Sequence, residues 1–391
     1  IVINKELQSP KPQSILAAIA NRVSYVCNLT GPSFTIDSMC SSALNALDLA
    51  CQTLKTKPID AMLVGAVNIC SHPFKLSALV ENKFLSPTGE SKPFSMHANG
   101  YVPGEGVVVL MVKKAKQALS DGDSIYAVIK SIASTHGGHG QGFTVPNANA
   151  QASTIRQALS LANLTEEDID YIEAHGTSTA LGDPIEMEGL HQVFSVRQRN
   201  LPVGSIKSNM GHLEPVAGFA SLMKVIAQFH NRVFYPSIHA EPLNPKLMTS
   251  LGVLSVASRY QENVTLNNAG ISCFGAGGSN THCIVGNVQN NLIQREKTSY
   301  DLQSYWLEEE KQFSSVQWLH KTLKPIPVLH EPKQAFTVLQ PISSVLPQYF
   351  SEASENPSAC LLSVTAIQCR DNRILSLLTE LLLRHPSLRI I

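Results

Sequence analysis

Four residues have the chemistry and the placement of a reactive site. Cys40 lies in Asp37-Ser38-Met39-Cys40-Ser41-Ser42-Ala43-Leu44, where a segment of alternating polarity meets a run of helical periodicity. At such a corner the free N–H groups and dipole of the helix start favour thiolate over thiol. The small Ser41-Ser42 pair leaves room around the sulfur, as a nucleophile needs. The alternative is a small buried core residue, which most free cysteines are, and this stretch alone does not decide between them. His175 ends a strand-like run in Glu173-Ala174-His175-Gly176-Thr177-Ser178-Thr179, where Gly176 lets the backbone come close and Thr177 and Thr179 offer hydroxyls on one side. Lys207 and His212 share Gly204-Ser205-Ile206-Lys207-Ser208-Asn209-Met210-Gly211-His212.

A glycine-rich stretch, Ser272-Cys273-Phe274-Gly275-Ala276-Gly277-Gly278-Ser279-Asn280, joins two strands and can bring backbone N–H groups into a site. It lacks Walker and dinucleotide spacing, which argues against phosphate binding. His136 and His139 flank Gly137-Gly138, a loop and not a helical metal face, so no metal site is expected. Any one of these histidines or glycine loops has an ordinary structural reading. One cysteine, two histidines and a lysine all at strand ends, where α/β folds build their sites, do not share one.

The elements that must carry them alternate regularly. Pro32 to Ile36 alternates with period two and reads as a short strand before Cys40. Further strands are expected at 61–69, 106–112, 125–134, 171–174, 203–207, 269–274 and 281–286. Helices are expected from Ser14 to Tyr25 and at 42–54, 151–162, 184–194 and 216–230. In the helix at 42–54 the polar exceptions Asn45, Asp48 and Gln52 fall on one stripe, so the rest is buried. Asp183 followed by Pro184 reads as a helix N-cap. The pattern predicts an α/β layered fold with buried sheets.

Composition sets the bounds. Of 391 residues 43% are apolar and 15% charged, against roughly 25% charged in ordinary domains. Thirty basic and thirty acidic residues cancel, which argues against nucleic acid or an anionic membrane as partner. The longest clean apolar run, Val107 to Val112, is too short to span a bilayer. Eight cysteines without a CxxC pair suggest neither a zinc site nor a disulfide framework, and so a cytoplasmic location. Beyond residue 287 the chain turns polar and then proline-rich, which predicts a linker over 288–347 and the start of a following domain over 348–391, with an apolar helix from Asn372 to Arg384 and a strand beginning at Leu388. Both ends read as cut edges.

Together these motifs resemble the polyketide β-ketoacyl synthases. The stretch around Cys40 is similar to their nucleophile motif. Glu173 to Thr179, with Gly182-Asp183-Pro184-Ile185-Glu186, is similar to their first histidine motif, and Lys207 to Leu213 to their second. Ser272 to Gly275 through Asn280-Thr281-His282 resembles their closing loop. Gly142 to Asn149 further resembles ketosynthases of bacterial assembly lines whose acyltransferase is a separate protein. The order and spacing of the motifs agree over about residues 15 to 286. Ser178 stands where the family has a glycine more often, and Met39 where a smaller residue is usual.

The resemblance implies a thiolase-like layered αβαβα fold whose first half, in residues 1–287, is incomplete, since only 39 residues precede Cys40. It implies a decarboxylative Claisen condensation. Cys40 would hold the acyl chain, His175 and His212 would stabilise the malonyl-derived enolate, and Lys207 would tune the site. The Cys40 and Phe274 N–H groups would form the oxyanion hole with Phe274 as gate, and Thr177 and Thr179 would hold pantetheine. No cofactor would be bound directly. The substrates would ride on the phosphopantetheine of an acyl carrier protein, and the intact synthase would be a homodimer. Tyr300 to Trp306 faintly resembles the motif closing ketosynthase linkers, and Gln340 to Ile391 the lead-in to a carbon-methyltransferase module. The competing readings are a non-elongating acyl-transferring ketosynthase, a Cys-His hydrolase, which leaves Lys207 and His212 unexplained, and an inactive fragment with a structural role.

Overall fold

Two kinds of strand divide the fold. In one segment the buried residues run without a break, as in Asn268–Phe274, where all seven positions are buried; such a strand is covered on both faces. In the other, Gly106–Lys113, burial alternates and Val107, Val109 and Met111 point outward, so only one face is covered.

The computed structural model describes residues 15–70, 73–139 and 142–288, and the strands at 361–362 and 389–390. The chain divides into two units, Ile1–Ser304 and Tyr305–Ile391. The first contains, in chain order, α1 (Ala17–Val26), α2 (Ser42–Thr56), β1 (Ala61–Asn68), α3 (Pro73–Glu81), β2 (Gly106–Lys113), α4 (Ala115–Ser120), β3 (Val128–His136), α5 (Ala148–Ala162), β4 (Tyr171–Glu173) and α6 (Gly182–Phe194). It continues with β5 (Leu201–Gly204), α7 (Lys207–Met210), α8 (Ala217–Asn231), α9 (Met248–Leu251), β6 (Leu254–Val256), β7 (Asn268–Phe274) and β8 (Ser279–Gly286). In the second unit β9 (Leu361–Leu362) and β10 (Arg389–Ile390) pair in parallel, which places a strand where the apolar end of the sequence predicts one. The remaining expectations for 288–391, linker, helix and following domain, lie outside the described residues.

The central sheet has six strands in the order β3-β8-β7-β4-β5-β6. Strands β7, β4, β5 and β6 run parallel to one another, and β8 is antiparallel to both β7 and β3. One face packs on α5 and α6 through Ile155, Met187, Leu190, Phe194, Ile172 and Val203. The other packs on α2 and α8 through Leu44, Leu47, Phe219, Val225, Ile271 and Val285. Beyond α2 lies the antiparallel ribbon β1–β2, whose inner residues Met62, Val108, Leu110 and Val112 join the same cluster. The order is therefore helix, sheet, helix, ribbon, with the ribbon's outer face bare.

Three sequence expectations fail locally, each for a physical reason. Residues 32–36 are extended but form no strand. Alternation shapes the backbone, while a strand also needs a ladder, and among the described residues this segment is tied to α1, by Ser24 to Ser33 and by Thr35 to the Leu16 carbonyl. The strand expected at 203–207 ends at Gly204, because the Ser205 N–H goes to Ser237 Oγ and the Ile206 N–H to Glu173 Oε1. Lys207 thus opens α7 and does not end a strand. Asp183 is not an N-cap either. It lies inside the first turn of α6, buried, and its carboxylate accepts the Phe94 N–H at 2.8 Å, while Thr179 Oγ1 takes the Gly182 N–H.

The bare ribbon face should be measurable. Leu63, Val107, Val109 and Met111 are all exposed on it, and covering each such side chain is worth roughly 1.5–3 kcal/mol. Replacing Val107, Val109 and Met111 together by threonine, which suits a strand equally well, should lower dye binding to apolar surface and concentration-dependent association in sedimentation. Unchanged values would mean that the face is covered in solution.

Candidate active site

Cys40 is presented by one turn of 3-10 helix, Met39–Ser41, that runs into α2. Met39 takes a left-handed φ of 56°, which costs a non-glycine residue about 1–2 kcal/mol. Its neighbours hold it there. The Met39 N–H donates to Asp37 Oδ1 at 2.9 Å, the Ser38 N–H to Ser42 Oγ at 2.9 Å, and Ser42 Oγ to the Met39 carbonyl at 2.6 Å. Strain held by a fixed surround is a common feature of reactive corners.

His175 stands just past β4. The Glu186 carboxylate grips the turn beneath it, accepting the N–H groups of His175 at 2.6 Å and Gly176 at 2.7 Å. Gly176 has φ +43, and a Cβ there would meet Ser205 at 2.7 Å, so the close approach needs glycine. His212 follows α7 through Gly211, whose φ is +77. Its N–H donates to the Val102 carbonyl at 2.7 Å, and its ring Nδ1 accepts the Glu214 N–H at 3.0 Å. That bond leaves the ring proton of the neutral form on Nε2.

The structure brings the three together. The Cys40 sulfur and one ring nitrogen of each histidine lie within 4.8 Å of one another. The histidine rings are perpendicular with centroids 5.5 Å apart, and the Phe274 ring lies 5.6 Å from His175. His175 Nδ1 and His212 Nε2 are buried with no protein partner among the described residues, and so is Lys207 Nζ.

Electrostatics follows from that burial. Desolvation, reinforced by the Lys207 charge, holds both histidines well below the usual imidazole range, so they are neutral at physiological pH. Burial, then the neighbouring Cys273, pushes the Cys40 thiol up to about 12, against the opposing charge of Lys207. Desolvation thus opposes the thiolate that the helix start favours. Burial also raises the carboxyls of Glu186, to about 7, and Asp183, to about 6.

The remaining expected residues fall around this centre. Thr177 and Thr179 lie side by side, their hydroxyl oxygens 3.2 Å apart, although Thr179 is occupied by the start of α6. Ser178 takes a φ of 60°, the left-handed conformation that favours glycine, and is strained there. The loop 275–278 presses on the nucleophile corner: a Cβ at Gly275 would overlap the Ser38 carbonyl.

Sequence reasoning gave no role to the buried charges. Glu173 and Lys224 form an ion pair at 2.9 Å, both almost fully buried, with the Tyr171 hydroxyl on each. A carboxylate inside Tyr171-Ile172-Glu173-Ala174 and a lone cation in the apolar helix 219–229 were the available signal, since such charges are buried only in pairs. Glu214 was missed too. It pairs with Lys75 at 2.5 Å and accepts from Tyr101, whose ring packs on His212 with centroids 4.6 Å apart.

Comparison with known proteins agrees with this geometry. Residues 4–118 match the family model of the β-ketoacyl synthase N-terminal domain, and 126–241 that of the C-terminal domain. The polyketide synthase ThaG of Burkholderia thailandensis is 45% identical over 281 residues, which is 69% of this chain and 5% of that protein. PksL of Bacillus subtilis is 40% identical over 324 residues, 78% of this chain and 7% of that protein. Among solved structures, the oxazolomycin ketosynthase domain OzmH KS7 of Streptomyces albus has a TM-score of 0.69 at 42% identity, covering 71% of this chain and 50% of that one. The ketosynthase of module 6 of the Bacillus subtilis bacillaene synthase also has a TM-score of 0.69, at 34% identity, covering 74% and 53%. This chain thus spans about half the length of the solved ketosynthases and a small share of the curated relatives. Its α/β architecture is the thiolase-like one of these ketosynthases, and the chain belongs to the β-ketoacyl synthase family.

Proposed function

We propose that the chain carries the condensing site of a modular polyketide synthase, and that it extends a Cys40-bound acyl chain by decarboxylative Claisen condensation with a malonyl thioester. The observation that carries this reading is the convergence of the Cys40 sulfur with two neutral histidines whose His175 Nδ1 and His212 Nε2 have no protein partner among the described residues. A hydrolase needs one histidine acting as base; here two are poised as donors.

In acylation the Cys40 sulfur gives up its proton as it attacks the incoming thioester. The carbon–sulfur bond of that thioester breaks, and the departing pantetheine thiol takes the proton. The malonyl thioester then loses carbon dioxide, its bonding pair moving into an enolate whose oxygen receives hydrogen bonds from His175 and His212. The enolate carbon attacks the Cys40 thioester. The N–H groups of Cys40 and Phe274 hold the oxyanion, a donor being worth about 3–4 kcal/mol, and collapse expels the Cys40 sulfur as thiolate, which takes a proton from solvent. Lys207 keeps both histidines neutral and adds positive potential where the negative charge develops. Thr177 and Thr179 face the pantetheine arm, and Phe274 gates the pocket.

An acyl carrier protein supplies both substrates, and the working enzyme is a cytoplasmic homodimer. No helix among the described residues is long and apolar enough to cross a membrane. The segment 142–149 favours an assembly line with a separate acyltransferase. Of the two ketosynthase activities, the presence of both histidines in one cluster favours elongation over acyl transfer alone.

Two experiments test the roles. Iodoacetamide labelling with peptide mapping should mark Cys40 and disappear in Cys40→Ala. With the thiol at about 12, its rate should climb about tenfold per pH unit from pH 7 to 10 without levelling; a plateau below pH 9 would restore the resting thiolate. His212→Ala should slow carbon dioxide release from a malonyl thioester by roughly 10²–10³-fold while acyl loading of Cys40 persists. Lost loading with intact decarboxylation would reverse the assignments.

A further inference from the structure

Asn45 sits one turn into α2, on the polar stripe that the sequence separates from the buried face. Its carboxamide is fully used. Nδ2 donates to Ser38 Oγ at 2.7 Å and Ser279 Oγ at 3.1 Å, and Oδ1 accepts from Ser134 Oγ at 2.8 Å and Thr281 Oγ1 at 2.7 Å. An amide has two N–H bonds and two lone pairs, so no valence remains. Ser41 Oγ completes the cluster, 2.8 Å from the Ser38 carbonyl and 3.0 Å from Ser279 Oγ.

These bonds link parts of the site that are distant in sequence. Ser38 and Ser41 bracket Cys40 and form the corner that presents it. Ser279 and Thr281 open β8 and anchor the far end of the loop 275–278, whose near end is Phe274. Two other contacts leave the junction without slack. Cys273 Sγ donates to the Cys40 carbonyl at 2.9 Å, and Gly275 has no room for a side chain beside the Ser38 carbonyl.

We propose that Asn45 is a positioning residue: its carboxamide ties the Cys40 corner to the start of β8 and so holds the 275–278 loop in register with the nucleophile. On the ketosynthase reading, on which the functional consequence rests, it sets the separation of the Cys40 and Phe274 N–H groups. Leucine at this position keeps the volume and loses every bond. Aspartate keeps the acceptor, and Ser38 and Ser279 can rotate to donate to it, so it retains most of the tie.

Amide hydrogen exchange on the full chain tests this without any turnover. In Asn45→Leu, peptides spanning 37–41 and 274–280 should exchange about tenfold faster, while the α5 peptide stays within about twofold. Asn45→Asp should remain within about threefold throughout. Exchange of 274–280 within twofold of the unsubstituted chain overturns the proposal, and so does an equal acceleration in α5, which means general loosening. Should Asn45→Leu fail to fold, Thr281→Val removes one bond of the tie and should accelerate 274–280 selectively; no acceleration overturns the proposal again. Absence of condensation by the unsubstituted chain would count against the ketosynthase reading and leave the exchange result standing. In a condensing preparation Asn45→Leu should lower kcat about tenfold with KM for the malonyl thioester within about threefold. A change in KM alone would place Asn45 in substrate binding and overturn the positioning role.

Discussion

The site depends on where two strands end, and buried carboxylates decide both ends. Glu186 accepts the N–H groups of His175 and Gly176, and Glu173 accepts that of Ile206. Each takes a donor that a longer strand would have spent on a ladder, so the chain leaves the sheet at those residues. A buried carboxylate is costly unless its oxygens are filled. Glu173 is filled on both oxygens, by Ile206 on one side and by Tyr171 and Lys224 on the other. Because Glu173 lies on β4 and Ile206 just after β5, one ion pair fixes His175 and Lys207 in a common frame. Removing either partner would leave a buried charge alone, which is far more damaging than never having had the pair.

That frame creates an electrostatic environment that water could not. Lys207 is 1% exposed, with no partner for its Nζ among the described residues. Its field, added to desolvation, keeps both imidazoles neutral, and a neutral imidazole can donate its N–H to a developing enolate oxygen. The same desolvation opposes ionisation of the Cys40 thiol. The two effects are complementary. A site that stabilised a resting thiolate would give up part of the driving force for its attack, whereas here the proton leaves only when an acceptor is positioned.

Much of this was legible in the residues. The layered α/β plan, the corner at Cys40 and the strand ends at His175 and beside Lys207 follow from periodicity and from where polar residues interrupt it. The failures share a cause. The Pro32–Ile36 segment, the overlong strand at 203–207 and the capping role of Asp183 were local readings: the first lacks a ladder among the described residues, and the other two were overridden by partners far away in sequence, the Glu173 and Ser237 acceptors and the Phe94 N–H. The desolvation that opposes a Cys40 thiolate was hidden in the same way, since a helix start is visible in sequence and the burial beside it is not. Asn45 shows the limit most clearly. Its place on a polar stripe was readable, but its four partners lie on three separate segments.

The ribbon β1–β2 bears on the site through α2 and through the segment leading into β2, where the His212 N–H donates to the Val102 carbonyl and the Gly104 N–H to the His212 carbonyl. Cys40 arrives from the half of the fold that contains this ribbon, while His175, Lys207, His212 and Phe274 come from the ends of the six-stranded sheet and the loops after them. What registers the first half on the second is the face of α2 turned to β7 and β8, through Leu44, Leu47, the Cys273–Cys40 contact and the Ser41–Ser279 contact. Val64 and Ala50, on the ribbon side, belong to the same apolar cluster. Local cohesion of the catalytic centre therefore does not require the outer ribbon face to be covered, whereas the orientation of α2 between the two sheets does require the inner ribbon face to stay packed. A disturbance of the ribbon reaches Cys40 by tilting α2 and His212 through Val102 and Gly104, and reaches His175 less, because Glu186 holds the turn beneath it.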